Sequence, residues 1–333
     1  MIARFGYVAM STVVKNASPS KTMTYKTFSS LTDREAAVRR LESIGADNLH
    51  NTLRLLRHNE ANDIKVYRFS SKLLPLATHD ALSEWNPYEA LKEQFQAVGD
   101  FVRQHGMRVS FHPDHFTVLS TPRPEVLHSS IRDLRHHVAM LDAMGLDGRA
   151  KNNIHVGGAY GDKPSAAERF RENVSALPDS IKRRLTFEND DKTFNAPETL
   201  ALCEALGIPM ALDIHHQWVN NEGEQPADLW RRILQTWQSP YAQADSPSAD
   251  PLPPKIHASS PKSDSDPRGH ADHVSVRPLL DFLRAIAPIT ERIDVMLEAK
   301  LKDGALFALM EDLRKYEGDG VEILDEASVR IMP

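Results

Sequence analysis

Six segments that read as β-strands deliver a histidine or a carboxylate at their ends. They are Ser110-Phe111-His112-Pro113, Ile154-His155-Val156-Gly157-Gly158, Phe187-Glu188-Asn189-Asp190-Asp191, Asp213-Ile214-His215-His216, Lys255-Ile256-His257 and Leu297-Glu298-Ala299-Lys300. Imidazole nitrogens and carboxylate oxygens are what a divalent metal takes when no thiolate is offered. A strand-end histidine taken alone is more often a hydrogen-bonded core or rim residue than a ligand. A strand-end aspartate is often the N-cap of the next helix, and Asp190 and Asp191 fit that plainer role. Burying even one neutral polar group without a partner costs roughly 2–7 kcal/mol. Six such ends on one rim therefore point to a shared metal site, where each ligand finds positive charge. The only cysteine is Cys203, so a structural cysteine zinc site is excluded. Manganese, zinc, iron, cobalt and magnesium remain as candidate ions.

These groups need a frame that brings distant strands to one edge. Short apolar, β-branched runs recur at residues 5–10, 65–70, 108–112, 153–157, 185–189, 209–215, 255–259 and 294–299. Helix-like stretches lie between them at 33–58, 87–105, 124–144, 165–176, 197–206, 228–237, 276–287 and 305–316. Eight strand–helix alternations predict an α/β chain folded as a single (β/α)8 TIM barrel, whose functional groups gather at the C-terminal ends of the strands. Val138, Leu141 and Met144 repeat at the helical period. Gly106, Gly145 and Gly207 fall where helix C-caps belong. The barrel domain is expected over residues 1–317. Residues 239–254 carry five prolines and read as a loop insertion before the seventh strand. Residues 318–333 form a short C-terminal extension.

Composition narrows the class. The chain has 333 residues, of which 41% are hydrophobic, enough for a large core. A net charge of −6 argues against a generic polyanion binder but leaves room for a local basic face. Fifteen histidines beside one cysteine favour metal chemistry over disulfides, and a reducing, cytoplasmic setting. No apolar run reaches membrane-spanning length, and the first ten residues read as a strand rather than a signal peptide.

Ten strings, in order from residue 4 to about residue 303, carry a resemblance. They begin with Tyr7 and Ala17-Ser18-Pro19-Ser20-Lys21-Thr22-Met23-Thr24, then Tyr67-Arg68-Phe69-Ser70-Ser71 and Pro75-Leu76-Ala77-Thr78-His79. Ser110-Phe111-His112-Pro113, His155-Val156-Gly157-Gly158-Ala159-Tyr160-Gly161 and Phe187-Glu188-Asn189-Asp190 follow. Asp213-Ile214-His215-His216, Lys255-Ile256-His257-Ala258-Ser259-Ser260, His270-Ala271-Asp272 and Met296-Leu297-Glu298-Ala299-Lys300 complete the series. Together they resemble the UV damage endonuclease family, whose barrel is related to endonuclease IV and the xylose-isomerase-like enzymes.

The resemblance implies incision of double-stranded DNA immediately 5′ of cyclobutane pyrimidine dimers and 6-4 photoproducts, and of abasic sites as well. It implies three divalent ions, with manganese the usual activator. By position, Glu188 would bridge two ions. Asp213, His257 and Glu298 would complete the first site, His112 and His155 the second, and His216 and His270 the third. Glu188, Lys255 and His79 would form the catalytic group, with His79 near the phosphate and Lys255 able to carry a carbamate. Tyr7 would line the lesion pocket, and Ser11, His115 and Phe116 would contact DNA. The family usually follows the His-Pro pair with a glutamine and an aromatic residue, which probe the opposite strand. Here those places hold His115 and Phe116, so Phe116 keeps a stacking surface while an imidazole replaces the amide.

The chemistry fits that implication. Clustered divalent ions activate a water, stabilise the transition-state charge and neutralise the leaving 3′-oxygen, giving a 3′-hydroxyl and a 5′-phosphate. Asn189, Asp190 and Asp272 are candidates to orient the histidine ligands. Lys15, Lys21, Lys26, Lys72, Lys163, Lys192, Lys262 and Lys300 occupy the expected strand-end loops and would make a positive face. Trp218, just past His216, is the tryptophan nearest that face. A monomer acting without a protein partner or a membrane is expected. The alternative is a sugar isomerase or epimerase on the same barrel, sharing Glu188, Asp213, His257 and Glu298.

Overall fold

A computed structural model describes residues 1–242 and 250–332. Of the proline-rich segment at 239–254, residues 243–249 lie outside the described residues. Eight parallel strands close into a barrel. They are β1 (Ile2–Val8), β2 (Val66–Arg68), β3 (Arg108–Phe111), β4 (Lys151–His155), β5 (Leu185–Glu188), β6 (Met210–Asp213), β7 (Lys255–Ala258) and, after a hairpin of β8 (Pro261–Ser263) and β9 (Asp266–His270), β10 (Arg292–Leu297). β10 pairs with β7 on one side and with β1 on the other, which closes the ring.

Local chemistry sets the helices that wrap it. Asp33 caps Arg34–Ala61 by accepting from the Ala36 N–H. Asn195 and Glu198 form a reciprocal capping box at the start of Ala196–Leu206. Proline opens Pro87–Ala90, Pro124–Ala143 and Pro226–Thr236, where its missing N–H costs nothing. The three expected C-cap glycines all adopt positive φ: 58° at Gly106, 65° at Gly145 and 66° at Gly207. Helix faces bury against the outward side chains of the strands in one continuous core that includes Phe5, Phe95, Phe111, Phe170, Phe187 and Trp230. Each such side chain contributes about 1.5–3 kcal/mol of burial. No described helix is long and apolar enough to cross a membrane.

Inside the barrel, the period-two alternation of the strands stacks polar groups in layers. At the N-terminal end of the strands Arg4 and Arg108 both pair with Asp294, at 2.7 Å each. One layer higher the buried Lys255 Nζ donates to Ser110 Oγ at 3.0 Å. The strand-end histidines and carboxylates form the top. Gly6 lies in the same inward row, and a Cβ there would come within 2.0 Å of the Val66 carbonyl oxygen, so β1 and β2 approach too closely for any side chain.

Strand boundaries shift by one to three residues from the sequence reading, as in β1, which runs over Ile2–Val8 and not 5–10; two differences matter more. The sixth strand stops at Asp213, not His215, because the Asp213 side chain accepts from the His216 N–H and starts the short helix Ile214–Val219. Residues 318–333 contain β11 (Val321–Asp325) and β12 (Ser328–Ile331), a hairpin that belongs to the barrel sheet. β12 runs antiparallel to residues 2–4 of β1, below the point where β1 turns to pair with β2 at residues 6–8.

Candidate metal centre

The C-terminal strand ends open on a cleft of about 650 Å³ whose lining includes His112, His155, Glu188, His216, His270 and Glu298. Two ligand clusters meet there. His112, His155 and Glu188 form one; Glu188, Asp213, His257 and Glu298 form the other. The donor atoms within each cluster lie within 4.8 Å of one another. Glu188 belongs to both. Its Oε2 lies 3.2 Å from His112 Nε2 and 3.1 Å from His257 Nδ1.

Hydrogen bonds behind the ligands fix their tautomers. His112 Nδ1–H donates to the Pro113 carbonyl at 3.0 Å, His216 Nδ1–H to the Asn189 carbonyl at 2.9 Å, and His270 Nδ1–H to the Glu298 carbonyl at 2.6 Å. A carbonyl can only accept, so Nδ1 carries the hydrogen and Nε2 is the lone-pair nitrogen whenever the ring is neutral. This is the arrangement by which a supporting group orients a metal-binding imidazole. His216 and His270 approach each other with ring centroids 6.3 Å apart, beside the two clusters. The neighbouring His215 is used differently: its Nε2–H donates to the Pro267 carbonyl at 2.8 Å and its Nδ1 accepts from the Ser259 hydroxyl at 2.6 Å. Both nitrogens are spent, so His215 is a structural residue.

The electrostatics match a cation site. Among the described residues, Asp213 Oδ2, His155 Nδ1 and both nitrogens of His257 are buried without a hydrogen-bond partner. His257 Nδ1 lies 3.0 Å from Glu298 Oε1, but in poor hydrogen-bond geometry. Such orphaned buried groups cost stability unless something else pairs with them, and a divalent ion fits this donor set. Burial and the negative charges of Glu188 and Glu298 raise the Asp213 carboxyl, although His216 and His257 oppose them. Burial opposes ionisation of Glu188 too, yet His257, His155 and a hydrogen bond from His112 hold it well below the usual carboxylate range. Burial lowers His216, but Asp213, Glu188 and Glu298 outweigh it and bring the imidazole up to about 9.

Other expected residues lie elsewhere. Tyr7 does not line the cleft. It is 0% exposed, one step out of phase with the inward Arg4, and its hydroxyl donates to Asn59 Oδ1 on the outer helix at 2.7 Å. Ser11 anchors a turn: its hydroxyl donates to Asp303 and accepts from the N–H groups of Val13 and Val14. His79 caps the short 3-10 turn Asp80–Leu82, accepting from Ala81 N–H, and stacks on Tyr25 with centroids 4.0 Å apart. His79 is not among the residues lining the cleft. His115 does line it, and Phe116 beside it is 72% exposed. Trp218 is only half-buried and leans on the core. Asp190 serves as a turn cap, accepting from the N–H groups of Lys192, Thr193 and Phe194.

Three residues that sequence reasoning passed over support the site. Asn153 Nδ2 donates to Glu188 Oε2 while its Oδ1 accepts from Thr186 Oγ1 at 2.7 Å. Arg68 Nη1 contacts Glu298 Oε1 at 2.6 Å. Lys302 reaches the cleft from a backbone with φ of 53°. Asn153 was legible in principle, because it stands two residues before His155 and so shares its face of β4.

Comparisons with known proteins agree with this geometry. Residues 3–328 match the family described as UV-endonuclease UvdE. The UV DNA damage endonuclease of Halalkalibacterium halodurans is 42% identical over 334 residues, spanning 100% of both chains. The crystal structure of SacUVDE superposes with a TM-score of 0.80 at 29% identity, over 95% of this chain and 99% of that one. Endonuclease IV from Thermus thermophilus shares the barrel alone, with a TM-score of 0.53 at 13% identity over 95% of this chain and 99% of its own. From residue 3 to residue 328, this chain belongs to the UV-endonuclease UvdE family.

Proposed function

We propose that this chain cuts double-stranded DNA immediately 5′ of UV photoproducts, pyrimidine dimers and 6-4 products, and also at abasic sites, leaving a 3′-hydroxyl and a 5′-phosphate. The carrying observation is the pair of ligand clusters that share Glu188 at the base of an open cleft. Glu188, Asp213, His257 and Glu298 would hold one divalent ion, Glu188, His112 and His155 a second, and His216 with His270 a third. Manganese is the activator we favour, and zinc, cobalt and magnesium suit the same donors. Ions in these places supply the charge that activates a water and stabilises an in-line phosphoryl transition state.

The chain's own groups do the positioning. Asn153 fixes one Glu188 oxygen, and Arg68 holds Glu298. The backbone carbonyls of Pro113, Asn189 and Glu298 keep three imidazoles turned toward the cleft. Burial, with the nearby charges of Arg108 and Arg68, brings the Lys255 ammonium down to about 7. An amine neutral near physiological pH can take up carbon dioxide, so this shift supports the carbamate reading of Lys255. Phe116 stands free at the rim and suits a wedge between base steps, with His115 beside it. A lesion that weakens stacking lowers the cost of extruding the damaged bases by about a few kcal/mol, which gives selectivity without base-specific contacts. We place this chemistry in the cytoplasm, carried out by a monomer. The sugar isomerase alternative loses its ground once the chain belongs to a family of endonucleases.

An end-labelled duplex carrying one pyrimidine dimer tests the proposal, with Mn²⁺, with EDTA, and beside an undamaged control. A metal-dependent cut directly 5′ of the dimer is expected. Cutting of the undamaged control at the same rate would overturn lesion specificity, and undiminished cutting in EDTA would overturn the metal reading.

A further inference from the structure

The opposite end of the barrel holds a second concave site, remote from the metal ligands. A cavity of about 390 Å³ opens among the N-terminal ends of β3, β4 and β10. That volume lies within the roughly 300–1,000 Å³ typical of small-molecule clefts. Five arginines line it: Arg4, Arg103, Arg108, Arg149 and Arg292. Only two carboxylates, Asp147 and Asp250, share the lining. Arg4 and Arg108 are both committed to the buried Asp294, and Arg103 to Asp100. Arg149 and Arg292 make no ion pair among the described residues. Among the described residues, the guanidinium of Arg149 donates to the Asp250 carbonyl at 3.0 Å and to no other group.

An independent observation points to a ligand. Arg108 is 8% exposed and lies over the Trp237 ring, 5.1 Å to its centroid, and its buried Nη2 has no hydrogen-bond partner among the described residues. Its Nη1 is fully used, donating to Pro253 O and Asp294 Oδ2 at 2.7 Å each. A guanidinium stays charged in a protein, and leaving one of its donors unpaired is costly. Two guanidiniums sharing the single carboxylate of Asp294, two more without carboxylates and a spare buried donor make a site that lacks an anion. The rest of the wall is apolar, formed by Val102, Met107, Val109, Leu146 and Leu252. A bare inorganic ion would leave that wall uncovered.

From this geometry we propose that the cavity binds a phosphate monoester bearing an apolar group of nucleoside size, that is, a nucleoside monophosphate. The phosphate takes the spare Nη2 of Arg108 and the free charges of Arg149 and Arg292, guanidinium donors whose planar geometry suits phosphate oxygens. The base lies on the apolar wall.

Calorimetric titration of the full chain, dialysed against EDTA so that cleft-bound ions do not contribute, tests the proposal. The probes are AMP, ribose 5-phosphate, inorganic phosphate and adenosine. Saturable binding of AMP is expected, at least tenfold tighter than inorganic phosphate, with adenosine weaker still. The double substitution Arg149→Ala, Arg292→Ala alters half-buried or exposed side chains and should weaken AMP at least tenfold. Metal-dependent nicking by that variant should stay within twofold of the parent. If AMP binds both proteins equally, or neither, the proposal is wrong. If inorganic phosphate matches AMP, the nucleoside assignment falls.

Discussion

At the scale of single residues, Glu188 has no substitute, because it is the one side chain common to both clusters. Glu188→Gln keeps the shape and removes the charge. Nicking of a dimer-containing duplex should fall about a thousandfold or more, at the upper end of losses seen when a principal charge-stabilising group is removed. A circular dichroism spectrum matching the parent would show that the fold survives, and retained nicking would rule out the shared-ligand role. Asn153 acts one step back, through its hydrogen bond to Glu188 Oε2. Asn153→Ala should reduce nicking by about 10–100-fold, the usual cost of losing a ligand's supporting hydrogen bond. It should also raise the Mn²⁺ concentration needed for half-maximal rate, a shift that a purely structural defect would not produce. The sequence already marked the candidate ligands, since a histidine or carboxylate at a strand end is visible without coordinates. It could not say which of His215 and His216 faces the cleft, because that depends on the helix that Asp213 caps. Nor could it say that Tyr7 turns outward, since the phase of β1 is set by its partners β10 and β2.

At the scale of elements, all eight barrel strands and their helices were legible, because each strand is a short buried run and each helix repeats at its own period. The hairpin of β8 and β9 was not. Its residues Pro261–Ser263 are exposed and polar, and it carries Pro261 and Pro267, so no apolar alternation announces it. Yet β9 ends at His270, which it carries to the cleft. The pairing of β12 with β1 joins residues more than 300 positions apart, and no local pattern encodes that. Helix packing hides a further titratable group. His136, on Pro124–Ala143, is buried and its Nδ1 accepts from the Tyr88 hydroxyl at 2.7 Å. Burial, with His137 beside it, pushes the imidazole down to about 3. The unfolded chain holds this proton more tightly, near its ordinary value of about 6.5. Stability from the neutral ring is therefore complete above about pH 6.5 and is lost as the pH falls toward 3, at about 1.4 kcal/mol per pH unit. Urea melts across that window should show His136→Gln with a shallower pH dependence by about one proton. An unchanged slope would mean that His136 is already protonated in the folded state.

For the molecule as a whole, the question is how a chain of net charge −6 holds a polyanion. The acidic groups of the barrel wall are largely answered within their own helices, as in Glu35 with Arg39, Asp100 with Arg103, Glu168 with Arg171 and Glu311 with Arg314. At the strand-end rim the balance differs. Lys15, Lys26, Lys72 and Lys300 are exposed and make no ion pair among the described residues, and Lys72 lines the cleft itself. Lys21 and Lys163, by contrast, are held by Asp47 and Glu198 at 2.8 and 2.7 Å. The unpaired set is thus the part of the rim free to meet phosphates. Each phosphate neutralised by a lysine releases condensed counterions, and the logarithm of affinity falls with the logarithm of salt at about 0.9 per contact. Four or five contacts predict a loss of roughly 100–500-fold between 50 and 200 mM salt. Fluorescence anisotropy with a labelled damaged duplex measures it. Lys72→Ala and Lys300→Ala should each flatten the slope by about one, whereas Lys163→Ala, whose charge is already answered by Glu198, should leave it unchanged. If all three variants kept the parent slope, binding would rest on the metal cluster and the exposed Phe116 instead of on a basic rim.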